Sequence, residues 1–351
     1  MKKPDPTEQA LDRLSVLRNE HDEQVIATEL KAFLKNRSNL VMAKAAKIAC
    51  EARVTHLVPD LAAAFHRLMK DPAKLDKGCA ATSEIVGALY ELDYVEPEVY
   101  LLGVHHVQME GSFGPPVDVA AKLRGLSAMG LARTRYPHAL DEVVSLLIDD
   151  WPQARMGAVR ALAANGGLAG ALLLKLKILT GESDPDVLAE CFSGSLASTP
   201  ETSTRLVARY MDSEDLYVAE VAIFALGSSR LPEALELLKE RLGRTAGGPR
   251  RKALLLAIAM VRSEAAIELL LSLLRSLRRK SLLPWPFSAA MKPCALAWSP
   301  QSPASLTRAY IRLSGNSSKQ AISNWQLAIG TNLHAKTRCG APPNRLLFVL
   351  S

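Results

Sequence analysis

The chain has 351 residues, 5% of them aromatic, and a formal net charge of +7. That length carries ample apolar surface for one elongated or two compact domains, and few aromatics beside abundant Ala and Leu favour packed helices over sheets. The five cysteines, at 50, 79, 191, 294 and 339, are odd in number, far apart and never in CxxC, which argues against a disulfide framework or a zinc site.

The opening MKKPDPTEQALDRL has two lysines but no apolar run behind them, so no secretory signal is expected. Charge-free stretches such as residues 293–307 are broken by proline or fall short of about 18–20 apolar residues. A soluble, cytoplasmic protein with no membrane partner is the expectation. Residues 1–22 read as a polar segment or first helix. From residue 23 a two-helix unit begins to repeat. Looser copies start near Val41, Lys77 and Asp118, and clearer ones at Ala154, Val187, Val218 and Arg250, spaced by 33, 31 and 32 residues.

The unit is plainest at LYVAEVAIFALG (216–227), where Val218, Val221, Ala222, Ala225 and Leu226 recur at helical spacing. Tyr217, Ile223 and Phe224 lie off that face, so this inner helix needs cover on several sides, and Gly227 is expected to end it. The next segment opens on Pro232, suited to a first helical turn, and aligns Leu235, Leu238 and Leu242 on one stripe of an amphipathic second helix. Pro59, Pro97, Pro137 and Pro200 mark further second helices, and Cys191 stands where other units place a small core residue.

Three stretches carry a family resemblance: DPDVLAE at 184–190, DWPQARMGAVRAL at 150–162 and DLYVAEVAIFALG at 215–227. They resemble the D-P-x-V-R…A…A-L-G first helix of the HEAT repeat family, in the short bacterial form related to PBS-lyase-type HEAT proteins, followed by an L-x-x-L-L second helix. The resemblance covers about residues 23–276. Leu188 and Ala219 depart from the usual arginine, and Gly194-Ser195 replaces Ala-Leu. It implies an all-α, α-α superhelix, a HEAT-like solenoid of about seven helical pairs with a non-repeat C-terminal tail. Such motifs specify architecture and are nearly silent about activity.

The tail, residues 277–351, breaks the pattern. Glu268 is the last acidic residue, and the 11 basic residues beyond it leave the first 268 residues at a net charge of −4. Trp285, Trp298 and Trp325 also lie there. Three readings stand side by side: a basic disordered arm for nucleic acid or an acidic partner, a cap folded over the last repeat, or out-of-frame translation beyond about residue 280.

No GxSxG, P-loop or HExxH occurs, so no catalytic, cofactor or metal residue is assigned. HHVQMEGSFGPP (105–116) gathers His105, His106 and Glu110 beside a long loop, but adjacent histidines lack the i, i+4 spacing that puts two ligands on one helix face; they read as a helix end and a turn. Some HEAT-like proteins are DNA glycosylases using an Asp and aromatics in the groove, and others are bilin lyases. Here Asp150 and Trp151 read more simply as a helix start, with Asp150 as the cap and Pro152 in the first turn. Charge alternates among the second helices, which argues against duplex binding by the repeat body. The expected function is a non-catalytic protein-interaction scaffold for a protein or peptide partner, with Lys175, Lys177, Arg205 and Arg209 as a basic patch for an acidic segment. The alternative is a HEAT-like enzyme or nucleic-acid-binding protein with its site in the concave groove.

Overall fold

The structure, a computed structural model, describes residues 5–111 and 114–281, with side chains up to residue 276. In chain order the helices are α1 (Pro6–Leu17), α2 (Glu23–Phe33), α3 (Asn39–Glu51), α4 (Val58–Leu68), α5 (Pro72–Leu75), α6 (Ala80–Glu91), α7 (Pro97–Val104), α8 (Ala121–Arg133), α9 (Ala139–Ser145), α10 (Pro152–Asn165), α11 (Gly167–Thr180), α12 (Pro185–Ser198), α13 (Pro200–Arg209), α14 (Leu216–Ser229), α15 (Pro232–Arg244), α16 (Gly248–Val261) and α17 (Glu264–Ser281). Between α7 and α8 two short strands, β1 (Met109–Glu110) and β2 (Val117–Asp118), pair antiparallel.

The fold is an all-α superhelix of helical pairs. The first helices pack in succession, α1 on α3, then α6, α8, α10, α12, α14 and α16. The second helices, from α4 through α7, α9, α11, α13 and α15 to α17, nest beside them, several touching both their own first helix and the next. Seven pairs run from α3 to α17. Upstream, α1 also packs on α3 and sends Leu14 and Leu17 into the same core.

Local chemistry sets the starts. Asp22, Asp184 and Asp215 each accept hydrogen bonds from two first-turn N–H groups of α2, α12 and α14, satisfying donors that a helix start leaves open. Proline stands in the first turn of α4, α7, α10, α12, α13 and α15, where its missing N–H costs nothing.

Packing does the rest, since burying a Leu- or Ile-sized side chain contributes about 1.5–3 kcal/mol against tenths for helix propensity. On α14, Ala222 and Leu226 are fully buried, and so are Ala219 and Ile223 off that face. Tyr217 is the exception: it is half-exposed and donates its hydroxyl to Asp186 at 2.9 Å. Gly227 does not end the helix. It lies inside α14, which runs to Ser229 and stops at Arg230 in the left-handed region (φ 56°). A Cβ at Gly227 would sit 2.5 Å from the Ala257 carbonyl oxygen, so this glycine permits close crossing of α14 and α16. The pair Gly125 and Gly157 does the same for α8 and α10, where a Cβ on Gly157 would fall 2.2 Å from Gly125 Cα.

No described helix is long and apolar enough to cross a membrane. The expectations for the tail beyond residue 281, with its three tryptophans, Cys294 and Cys339, fall outside the described residues.

Candidate functional site

The residues that first invite a catalytic reading belong to a buried polar spine joining successive units. Asp76 is fully buried and accepts from Asn39 Nδ2 (3.0 Å), the N–H groups of Ala81 and Thr82, and the Thr82 hydroxyl. Its backbone carbonyl accepts from Gln108, whose own N–H donates to Asp118. Asp118 meets Arg124 at 2.6 Å, and Arg124 forks onto Asp149 at 2.8 and 3.0 Å. Arg155 then donates to the Asp149 and Asp150 carbonyls and forks onto Glu182 at 3.0 and 2.7 Å.

Electrostatics follow from this pairing. Burial opposes ionisation of Glu182, but Arg155, the Asp184 N–H and Lys177 outweigh it and hold the carboxyl down at about 2. Asp118 is likewise burdened by burial, yet the N–H groups of Ala120 and Gln108 and the Arg124 guanidinium keep it below the usual carboxylate range. Every charge here has a partner, which is the condition for burying charge without heavy loss. These groups hold one another across successive units.

The His105, His106 and Glu110 set is dispersed the same way. His105 caps the end of α7 and lies 3.0 Å from Glu142, His106 meets Gln108, and Glu110 accepts from the Gly78 N–H and Gln108. No cluster of His, Cys, Asp or Glu suited to a metal occurs among the described residues. Asp150 is not the cap of α10 either; Trp151 stands at that position with no side chain capping the first turn, and its own N–H donates to Asp149 Oδ1 at 2.9 Å. Cys191 and Cys79 are buried, and burial pushes both thiols up to about 12, so neither is a nucleophile near neutral pH.

The four basic residues expected to form a patch divide. Lys177 turns to the opposite side of α11 from Leu168 and pairs with Glu182 at 2.9 Å. Lys175 donates to the Thr202 hydroxyl at 2.6 Å and so links α11 to α13. Arg205 and Arg209 are exposed on α13, with Arg205 2.9 Å from Glu233 of α15. A groove of about 220 Å³ brings these two arginines together with Arg241 and Arg244 of α15.

One helical pair earlier, α11 carries a feature that the repeat pattern concealed. Leu168, Leu172, Leu176 and Leu179 of α11 are all more than half exposed. Their spacing of four, four and three residues puts them on one face, with Lys175 at its edge. Ala171, Leu174 and Ile178 fill the buried face. Scattered exposed leucines are ordinary, but an aligned stripe of four is a recognition feature. The signal was in the sequence as a second apolar face on α11. Lys175 and Lys177 marked that segment only as a basic second helix.

No protein-family model matches the chain, and no curated protein matches it.

Proposed function

We propose that the chain is a non-catalytic protein-interaction scaffold, built of HEAT-like repeats, whose second-helix face takes an acidic amphipathic segment of a partner protein. One observation carries the reading: the exposed leucine stripe of α11 is tied through Lys175 and Thr202 to α13, the helix that gives Arg205 and Arg209 to the groove. An amphipathic helix lays apolar residues into a hydrophobic strip while charge complementarity at the edge fixes its register. The spine supports a scaffold in another way, because rigid pairs spaced along a stack present a surface without needing to move.

The test titrates the full-length chain with a fluorescent Leu/Glu amphipathic helical peptide, its scrambled version and a Leu/Lys version. The Leu/Glu peptide is expected to bind best. Leu172→Gln with Leu176→Gln should weaken it by at least about tenfold, since each covered leucine contributes one or more kcal/mol. Equal binding of all three peptides, or no effect of the double substitution, overturns the proposal. Salt-dependent binding of duplex DNA stronger than that of the peptide would point instead to the nucleic-acid reading.

A further inference from the structure

Next to the groove, where α15 turns into α16, lies a cavity of about 430 Å³ walled by Arg241, Arg244, Arg250, Asp212 and the loop around Gly247. We infer that this cavity is an oxyanion site that takes a phosphoryl group. The site shares Arg241 and Arg244 with the groove beside it and adds Arg250, Asp212 and the Gly247 loop, and it stands whether or not a peptide covers the α11 leucines.

Three guanidiniums face one carboxylate in this wall. Arg241 is paired with Asp212. Arg244 reaches Glu240 only at the exposed surface, where such a contact contributes little. Arg250 donates one Nη to the Ser213 carbonyl at 2.7 Å, while its Nε is buried with no partner. A buried donor left unmade is costly, and Arg250 lines the cavity, so turning its guanidinium onto an acceptor there would relieve that cost. Nor do these arginines serve to finish α15. Arg251, next in the chain, bonds the Leu242 and Thr245 carbonyls at 2.9 and 2.6 Å and closes that helix end.

Like charge accumulates as a result. Burial, then Arg244 and Arg250, push Arg241 below the usual guanidinium range. An anion placed among them converts that repulsion into attraction. A phosphoryl group fits better than a carboxylate because it carries up to two charges and three acceptor oxygens against three planar donor forks. The volume also leaves room for whatever bears the group.

The experiment follows thermal unfolding of the full-length chain in sodium phosphate, acetate and chloride at equal ionic strength. A second arm uses a phosphoserine peptide and its unmodified twin. Phosphate is expected to raise Tm saturably, by ligand linkage, while acetate and chloride do not. Arg244→Gln should weaken phosphate by about tenfold or more and Arg244→Lys by less, whereas Arg160→Gln, distant on α10, should leave it unchanged. Arg244 is exposed, so these variants are expected to keep the native circular-dichroism spectrum. Tighter binding of the phosphoserine peptide than of its twin would make the source a modified protein; phosphate binding alone would make it the free ion. Equal response to all three salts with no preference for the phosphoserine peptide overturns the inference, as does phosphate binding that Arg244→Gln does not change. The Leu172 and Leu176 substitutions should not alter phosphate binding, so the fate of this site and that of the peptide face are read separately.

Discussion

Between Asn39 and Asp184 two arginines, Arg124 and Arg155, are buried, and their guanidinium forks meet Asp149 and Glu182 of the following turns. Farther along, Arg205, Arg209, Arg241 and Arg244 stand on second helices and Arg250 in the first turn of α16, around open grooves. The two regions share one repeat and one backbone plan. They differ at the fourth residue of the first helix, which is Arg124 on α8 and Arg155 on α10 but Leu188 on α12 and Ala219 on α14. Beyond Glu182 the spine stops, and packing carries the junction: Leu188 and Ala219 are buried, and Gly227 lets α14 approach α16. Interaction between repeats can thus be supplied by paired charge or by close apolar contact, and using the second releases arginine for the surface.

The sharpest way to break the contrast is to remove one arginine from each region. Arg155→Ala strips the fork from Glu182, whose side chain is 1% exposed, and should destabilise the chain by about 3 kcal/mol in urea unfolding. Arg205→Ala, at a side chain 82% exposed, should cost under about 0.5 kcal/mol in the same measurement. Comparable losses would mean that the spine is not what distinguishes the regions.

Acid titration probes the same point. The folded pKa of Glu182 is depressed to about 2, so its contribution is fully present above the ordinary glutamate value near 4.3 and is lost as pH falls towards 2. The loss should be on the order of 3 kcal/mol, read from the urea midpoint as a function of pH. In Arg155→Ala this pH dependence should flatten; if it keeps its full slope, another carboxylate is responsible.

A smaller effect tests the packing side. Gly157→Ala forces a Cβ into the backbone of α8 and should cost about 1–3 kcal/mol by thermal or urea unfolding. Gly227→Ala, against the Ala257 backbone, should cost a similar amount in the region without the spine. A neutral result at Gly227 would show that α14 and α16 can slide apart freely, and that the second region is held more loosely than its contacts indicate.

Much of this was legible from residue order. The 31–33-residue period, the proline starts and the buried small residues at Ala154, Cys191 and Ala222 all follow from local spacing. The candidate surface was legible only in part: Arg205 and Arg209 are exposed on α13, Lys177 is held by Glu182, and nothing in the spacing singles out Arg241 and Arg244.

The sequence by itself determined that the described chain is a stack of helical pairs, because helical period, caps and apolar faces act within a few residues of one another. Tertiary structure alone decided which charges are spent inside and which remain outside. Arg124 finds Asp149 at a separation of 25 residues, Asn39 finds Asp76 at 37, and Arg250 reaches Ser213 at 37. Such partners meet only when the register and tilt of adjoining units bring their turns together, and that register is set by packing at sites such as Gly125 against Gly157 rather than by the composition of either turn.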